Sequence, residues 1–122
     1  MNVVPVLVYV AGKMSSENPL QFLRNLNSLQ IWTARIRDLG FAPFPVADDY
    51  ADIMRTTNVT IPQIKAASIA WLKRSDCMFV TPDWEGSPGV AAEIAVADAS
   101  QIPVFYELDE MAAWGCGFRR TA

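Results

Sequence analysis

Histidine is absent from the chain. That absence removes Ser-His-Asp and Cys-His nucleophile pairs and nearly every common zinc site at once. Carboxylates, hydroxyls and lysines remain, so any chemistry is expected to run on Asp or Glu, with no cofactor. Cysteine is scarce: Cys77 sits in an apolar run and Cys116 between glycines, which reads as two reduced thiols rather than a disulfide framework. Runs of like charge and low-complexity segments are also missing. With 52% apolar and 19% charged residues, the chain is expected to be compact and ordered. The net charge of −3 with no basic stripe argues against a nucleic-acid polymer as partner and leaves a single nucleotide open. No window approaches about eighteen uninterrupted apolar residues. Met1 to Val10 lacks a basic flank and meets Gly12 too soon for a signal peptide. No membrane partner is expected, and a cytoplasmic location is. The 122 residues have room for one domain, 1–122, with no internal boundary.

The rest of the chain is arranged around Asp76 to Tyr106. Cys77 to Thr81 is apolar without alternation, which suits a parallel strand covered on both faces, and Pro82 ends it. Ser87 is a good N-cap and Pro88 suits the first helical position, so a helix is predicted from Pro88 to Ala99. Gly89 and Glu93 are four apart and share a face. Because Cβ atoms lean towards a helix N-terminus, the Glu93 carboxylate should point at a rim that Gly89 leaves uncovered. The pattern predicts a small cleft with an acid in it.

Val3 to Ala11 is β-branched and nearly continuous in apolar character, a buried first strand ended by Gly12. Ligands in open parallel sheets sit beyond the carboxyl ends of strands, which places Tyr9, Gly12, Lys13 and Ser15 at the functional rim. Gly12-Lys13 is not a P-loop, lacking the upstream Gly and carrying Met14 where Ser or Thr should hold magnesium. Lys13 reads equally as a solvated loop lysine or a phosphate ligand. Asn18 to Asp38 is predicted as a long amphipathic helix with Leu20, Leu23, Leu26 or Asn27, Ile31, Ala34 and Leu39 on one face, stopped by Gly40. Phe41 to Val46, weakened by Pro43 and Pro45, reads as an edge strand. Ala47 to Thr60 reads as a long connection grouping Asp48, Asp49, Tyr50 and Asp52 before Met54. Ile61 to Arg74 shows Ile61, Ile64, Ala67 or Ser68, Trp71 and Leu72 on one helical face. Asp76 enters the third strand from the end opposite the cleft and is expected to be structural. Ile102 to Tyr106 is a fourth strand and Leu108 to Trp114 a short last helix. The expected fold is an α/β three-layer sandwich with a four- to five-stranded parallel sheet of order 2-1-3-4, which brings Gly12-Lys13 beside Ser87 and Glu93.

With those loops together, the chain resembles the nucleoside 2-deoxyribosyltransferase superfamily, including its small nucleoside monophosphate N-glycosidases. Tyr9-Val10-Ala11-Gly12 is similar to the family's first-strand Tyr-x-x-Gly, and Ser75-Asp76 to its Ala/Cys-Asp strand entry. Ser87-Pro88-Gly89 followed by Glu93 is similar to its Ser-x-Gly-x-x-x-Glu helix start. The resemblance runs from Val3 to Tyr106. It implies Glu93 as the nucleophile that attacks C1′ of the sugar, Tyr9 as its orienter, Gly12 and Gly89 for close backbone approach, and Ser87 at the 5′-phosphate. It also implies a homodimer or higher homo-oligomer; Met111, Trp114 and Phe118 look free of a core role. Two positions depart from the family. The Asp often found on the helix before Trp-Leu is Ser68 here by register from Asp76, and the Arg after the first glycine is missing, leaving Lys13 or Ser15 to substitute. The general acid is unassigned, with Asp83 the nearest candidate and Asp48 or Asp49 behind it.

Two other readings stand beside catalysis. Glu93 could be an ordinary solvated helix glutamate, and Ser87-Pro88 merely a cap. The cleft could also bind or sequester a nucleotide without turnover, which Ser68 would favour. The flanking Ala91-Ala92-Glu93-Ile94-Ala95, too apolar for a fully exposed site, weighs towards chemistry.

Overall fold

The computed structural model describes residues 4–51, 55 and 58–118. Val3, Asp52 and Met54, named above, lie outside the described residues. Four parallel strands, β1 (Leu7–Ala11), β2 (Ala42–Phe44), β3 (Cys77–Val80) and β4 (Val104–Phe105), pair in the order β2-β1-β3-β4. The helices are α1 (Pro19–Asp38), α2 (Val46–Ala51), α3 (Ile61–Lys73), α4 (Pro88–Ala99) and α5 (Leu108–Gly117). The fold is the expected three-layer one. β1 and β3 are central and nearly inaccessible, so every side chain meets a helix layer. Val8, Val10, Cys77 and Phe79 face a layer that includes α1, α2 and α5, while Tyr9, Ala11, Met78 and Val80 face α3 and α4. In this setting, burial pushes the Cys77 thiol up to about 12, so it stays a protonated core residue.

Local sequence starts the helices as their caps predict. Asn18 accepts from the N–H groups of Leu20 and Gln21 (2.9 and 3.2 Å), Thr60 and Gln63 form a reciprocal capping box, and Ser87 accepts from Val90 N–H at 3.3 Å. A proline stands in the first two positions of each of these helices. Gly40, at φ 94°, follows α1 in the left-handed region. Asp76 proves structural: its carboxylate accepts from Leu7 N–H at 2.8 Å and its own N–H donates to Leu7 O at 2.9 Å, tying β3 to β1 at the end away from the cleft.

Several expectations are corrected. The first strand begins at Leu7, where neighbours are available on both sides, and the described residues 4–6 before it are not part of it. The second ends at Phe44, because the chain turns at Pro45 into α2, so part of the supposed connection is a helix. The fourth shrinks to Val104–Phe105. Helix α1 is rotated from the expected face: of the residues expected there Leu26 is buried, together with Leu29, Thr33 and Ile36, whereas Leu20, Leu23, Ile31, Ala34 and Leu39 are exposed. Two apolar stripes run along α1, and the one that includes Thr33 meets the sheet. On α3, Ile64, Ser68 and Leu72 are buried while Ile61 and Trp71 are exposed. Met111 is fully buried, and Trp114 packs against the core and on Phe105 and Phe118, so these residues do have a core role.

Candidate active site

Beyond the carboxyl ends of β1 and β3, the β1–α1 loop and the start of α4 face α2 and α3 across a cleft of about 510 Å³. Two close contacts fix the first loop. A Cβ at Gly12 would stand 2.5 Å from Thr81 Oγ1 and 2.6 Å from Leu29 Cδ2, so any larger residue would force those side chains to shift. Further along, the buried Asn25 amide donates to Met14 O at 3.2 Å, holding the loop over α1. Tyr9, Gly12, Lys13, Ser15, Ser87, Gly89 and Glu93 all line the cleft, as the sequence predicts.

Asp83 does not line it. It sits exposed in the turn after β3 with φ 67°, outside the wall that Gly86 and Ser87 form. Asp48 is exposed and lines a separate, smaller depression beside Gln30 and Arg37; Asp49 also lies off the cleft wall. Among the described residues lining the cleft, Glu93 is therefore the only carboxylate.

Two residues that sequence reasoning missed complete the far wall: Tyr50 on α2 and Lys65 on α3. Tyr50 follows Val46 by four on one helical face, a spacing visible once Pro45 is taken as a helix entry. Lys65 precedes Ser68 and Ile69 by three and four on the cleft-facing side of α3. Two lysines against one carboxylate leave this opening net positive in a chain of net charge −3.

Glu93 is half-buried. Its neighbours Ala91 and Ala95 are exposed, so the burial comes from the strand and helix it faces, not from its flanking alanines. That burial raises its pKa; the hydrogen bond donated by the Tyr9 hydroxyl and the charge of Lys65 pull it back down. The Tyr9 phenol is pushed far up, by burial first and by Glu93 second, so it remains a neutral donor to the carboxylate. Tyr50 is raised by burial and then by Glu93. The Tyr9 ring is held by Phe44, stacked at 5.7 Å, which in turn stacks on Trp71 at 5.1 Å. A carboxylate fixed by a phenol, next to a capped helix N-terminus and two lysines, can act as a nucleophile towards an electron-poor carbon of an anionic ligand.

No protein-family model matches the chain, and no curated protein does. Among solved structures, it is similar to a 2-deoxyribosyltransferase from the psychrotolerant bacterium Bacillus psychrosaccharolyticus, with a TM-score of 0.60 and 16% identity over 81% of this chain and 69% of that one. The shared property is the fold. Among the described residues, no helix is long and apolar enough to cross a membrane.

Proposed function

We propose that the cleft cleaves the N-glycosidic bond of a nucleoside or deoxynucleoside 5′-monophosphate through Glu93. The observation that carries this reading is the Glu93 carboxylate held by the Tyr9 hydroxyl inside the cleft. The fold shared with a sugar-transferring enzyme adds support. Glu93 forms an ester bond to C1′ as the C1′–N bond breaks; its electron pair leaves with the base, which takes a proton from solvent. Water or a second base then attacks C1′ and frees the carboxylate, as in retaining glycosidases. Ser87, the free N–H groups of α4 and Lys13 would take the phosphate, and Lys65 adds positive charge. Tyr9 and Glu93 are the working pair in this scheme; Asp83 has no part in it.

The absence of a second carboxylate among the described cleft residues favours one other reading, a protein that binds or sequesters a nucleotide without turnover. Incubation with a panel of nucleosides and their 5′-monophosphates, followed by chromatography for free base, separates the two. Base release, faster from monophosphates, is the expected result. Binding without release would establish the sequestering reading, and equal affinity for nucleoside and monophosphate would move the substrate towards plain nucleosides. The proposal includes a cytoplasmic homodimer or higher homo-oligomer in which a neighbouring subunit closes the cleft. A monomer in light scattering would count against that part.

A further inference from the structure

A base that leaves C1′ needs a proton as the bond breaks, and a donor held in the cleft delivers it faster than bulk solvent does. Among the described residues lining the cleft, the side chains acidic enough to supply one are Glu93, the tyrosines Tyr9 and Tyr50, and the lysines Lys13 and Lys65. Glu93 is the nucleophile, and Tyr9 is committed to it through its hydrogen bond. Lys13 and Lys65 are exposed, so solvated ammonium groups at the ends of flexible stems offer charge rather than a fixed donor. Tyr50 remains. It is 9% exposed and belongs to the core that includes Val46, Ala47 and Ala51, which holds its ring. Among the described residues none hydrogen-bonds to its hydroxyl, and that oxygen is not sealed from the cleft.

Resting on the glycosidic reading above, we propose that Tyr50 hands the leaving base its proton. In a retaining mechanism the nucleophile and the proton donor flank the bond that breaks, about 5 Å apart. Glu93 on α4 and Tyr50 on α2 stand on opposite sides of the cleft. The two are close enough for the Glu93 charge to act on the phenol, yet they share no hydrogen bond, which leaves room for a ligand between them. Burial first, and that charge second, keep Tyr50 protonated before reaction. As Glu93 bonds to C1′ its charge is consumed, so the phenol becomes a better donor when the base needs it. The Tyr50 proton goes to the base nitrogen that receives the electron pair of the C1′–N bond. In the second step the phenolate takes a proton from the water, or from the second base, that attacks C1′, and Glu93 leaves as a carboxylate. Tyr50 thus relays to the base a proton that comes from solvent.

The test uses two leaving groups, since a nitrophenolate departs as a stable anion and needs no proton. For wild type, Tyr50→Phe and Glu93→Gln, kcat/KM would be measured by base release from nucleoside 5′-monophosphates and by nitrophenolate release from the 4-nitrophenyl glycoside of the same sugar phosphate. Tyr50→Phe keeps the buried ring, so its melting temperature should stay near that of wild type. It should lose roughly 10- to 100-fold on the nucleotides and far less on the nitrophenyl glycoside, whereas Glu93→Gln should lose on both. Wild-type activity of Tyr50→Phe on nucleotides, or an equal loss on both substrates, overturns the inference and leaves the Glu93 reading standing. If Glu93→Gln keeps its turnover while Tyr50→Phe shows the selective loss, the nucleophile is wrong and the proton donor stands. Wild type that releases neither base nor nitrophenolate overturns both.

Discussion

The two walls of the cleft differ in how they are made. The near wall, with Tyr9, Gly12, Ser87 and Glu93, is built from the end of a strand and the start of a helix, where backbone geometry dictates the residue type. The far wall, with Tyr50, Lys65 and Ser68, is built from the sides of α2 and α3, where each residue is one of several the helix would accept. On the proposed function, chemistry at C1′ would reside on the first wall and its tuning on the second. Substitutions on the near wall should therefore be more damaging.

The largest effect is expected from Glu93→Gln, which keeps size and an acceptor for Tyr9 but cannot supply the anion. Base release should fall by roughly a thousandfold or more while nucleotide binding persists. The same variant should be more stable than wild type at neutral pH. Because the folded-state pKa of Glu93 is raised, its neutral form is the one the fold favours. Its contribution is full below the unfolded pKa and is lost as pH rises through the folded one. The stability gap between Glu93→Gln and wild type should thus close on acidification, a trend that thermal melts at several pH values would check.

Tyr9→Phe should come next, lowering kcat/KM by roughly 10- to 100-fold, since one charge-assisted hydrogen bond is lost. With that lowering influence gone, the Glu93 pKa rises, so the acid limb of the pH–rate profile should move to higher pH. Gly12→Ala tests the near wall sterically: a Cβ forced against Thr81 and Leu29 should cost about 1–3 kcal/mol in denaturant unfolding. On the far wall, Lys65→Met should shift the acid limb the same way as Tyr9→Phe but less, and added salt should shrink the difference because Lys65 is exposed. A Lys65 effect larger than that of Tyr9 would break the contrast between the walls.

The same contrast explains what the sequence revealed. Ser87-Pro88 marks a helix start through capping chemistry, and Gly12 marks the end of a strand, so the near wall and the 2-1-3-4 sheet could be read in advance. The face of α1 could not. Leu20, Leu23 and Ile31 offer an apolar stripe as plausible as the buried one, and Thr33 satisfies its hydroxyl on its own helix, disguising the true face. Tyr50 is hidden because Pro45 reads as part of an edge strand running to Val46, with a long connection after it, rather than as a helix entry. Asp83 misled in the opposite way, since nearness in sequence to Ser87 says nothing about direction in a turn with a left-handed residue.

The most direct test of Glu93 as a covalent nucleophile is to trap the sugar on it. Wild-type protein would be incubated with a 2′-fluoro-2′-deoxyarabinosyl 5′-monophosphate, whose electron-poor C1′ slows release of the sugar, then quenched in acid, digested and mapped by mass spectrometry. The expected result is one sugar phosphate added to the peptide carrying Glu93, with base released in equal amount and no adduct in Glu93→Gln. Base release with no adduct, or an adduct on another residue, would contradict it.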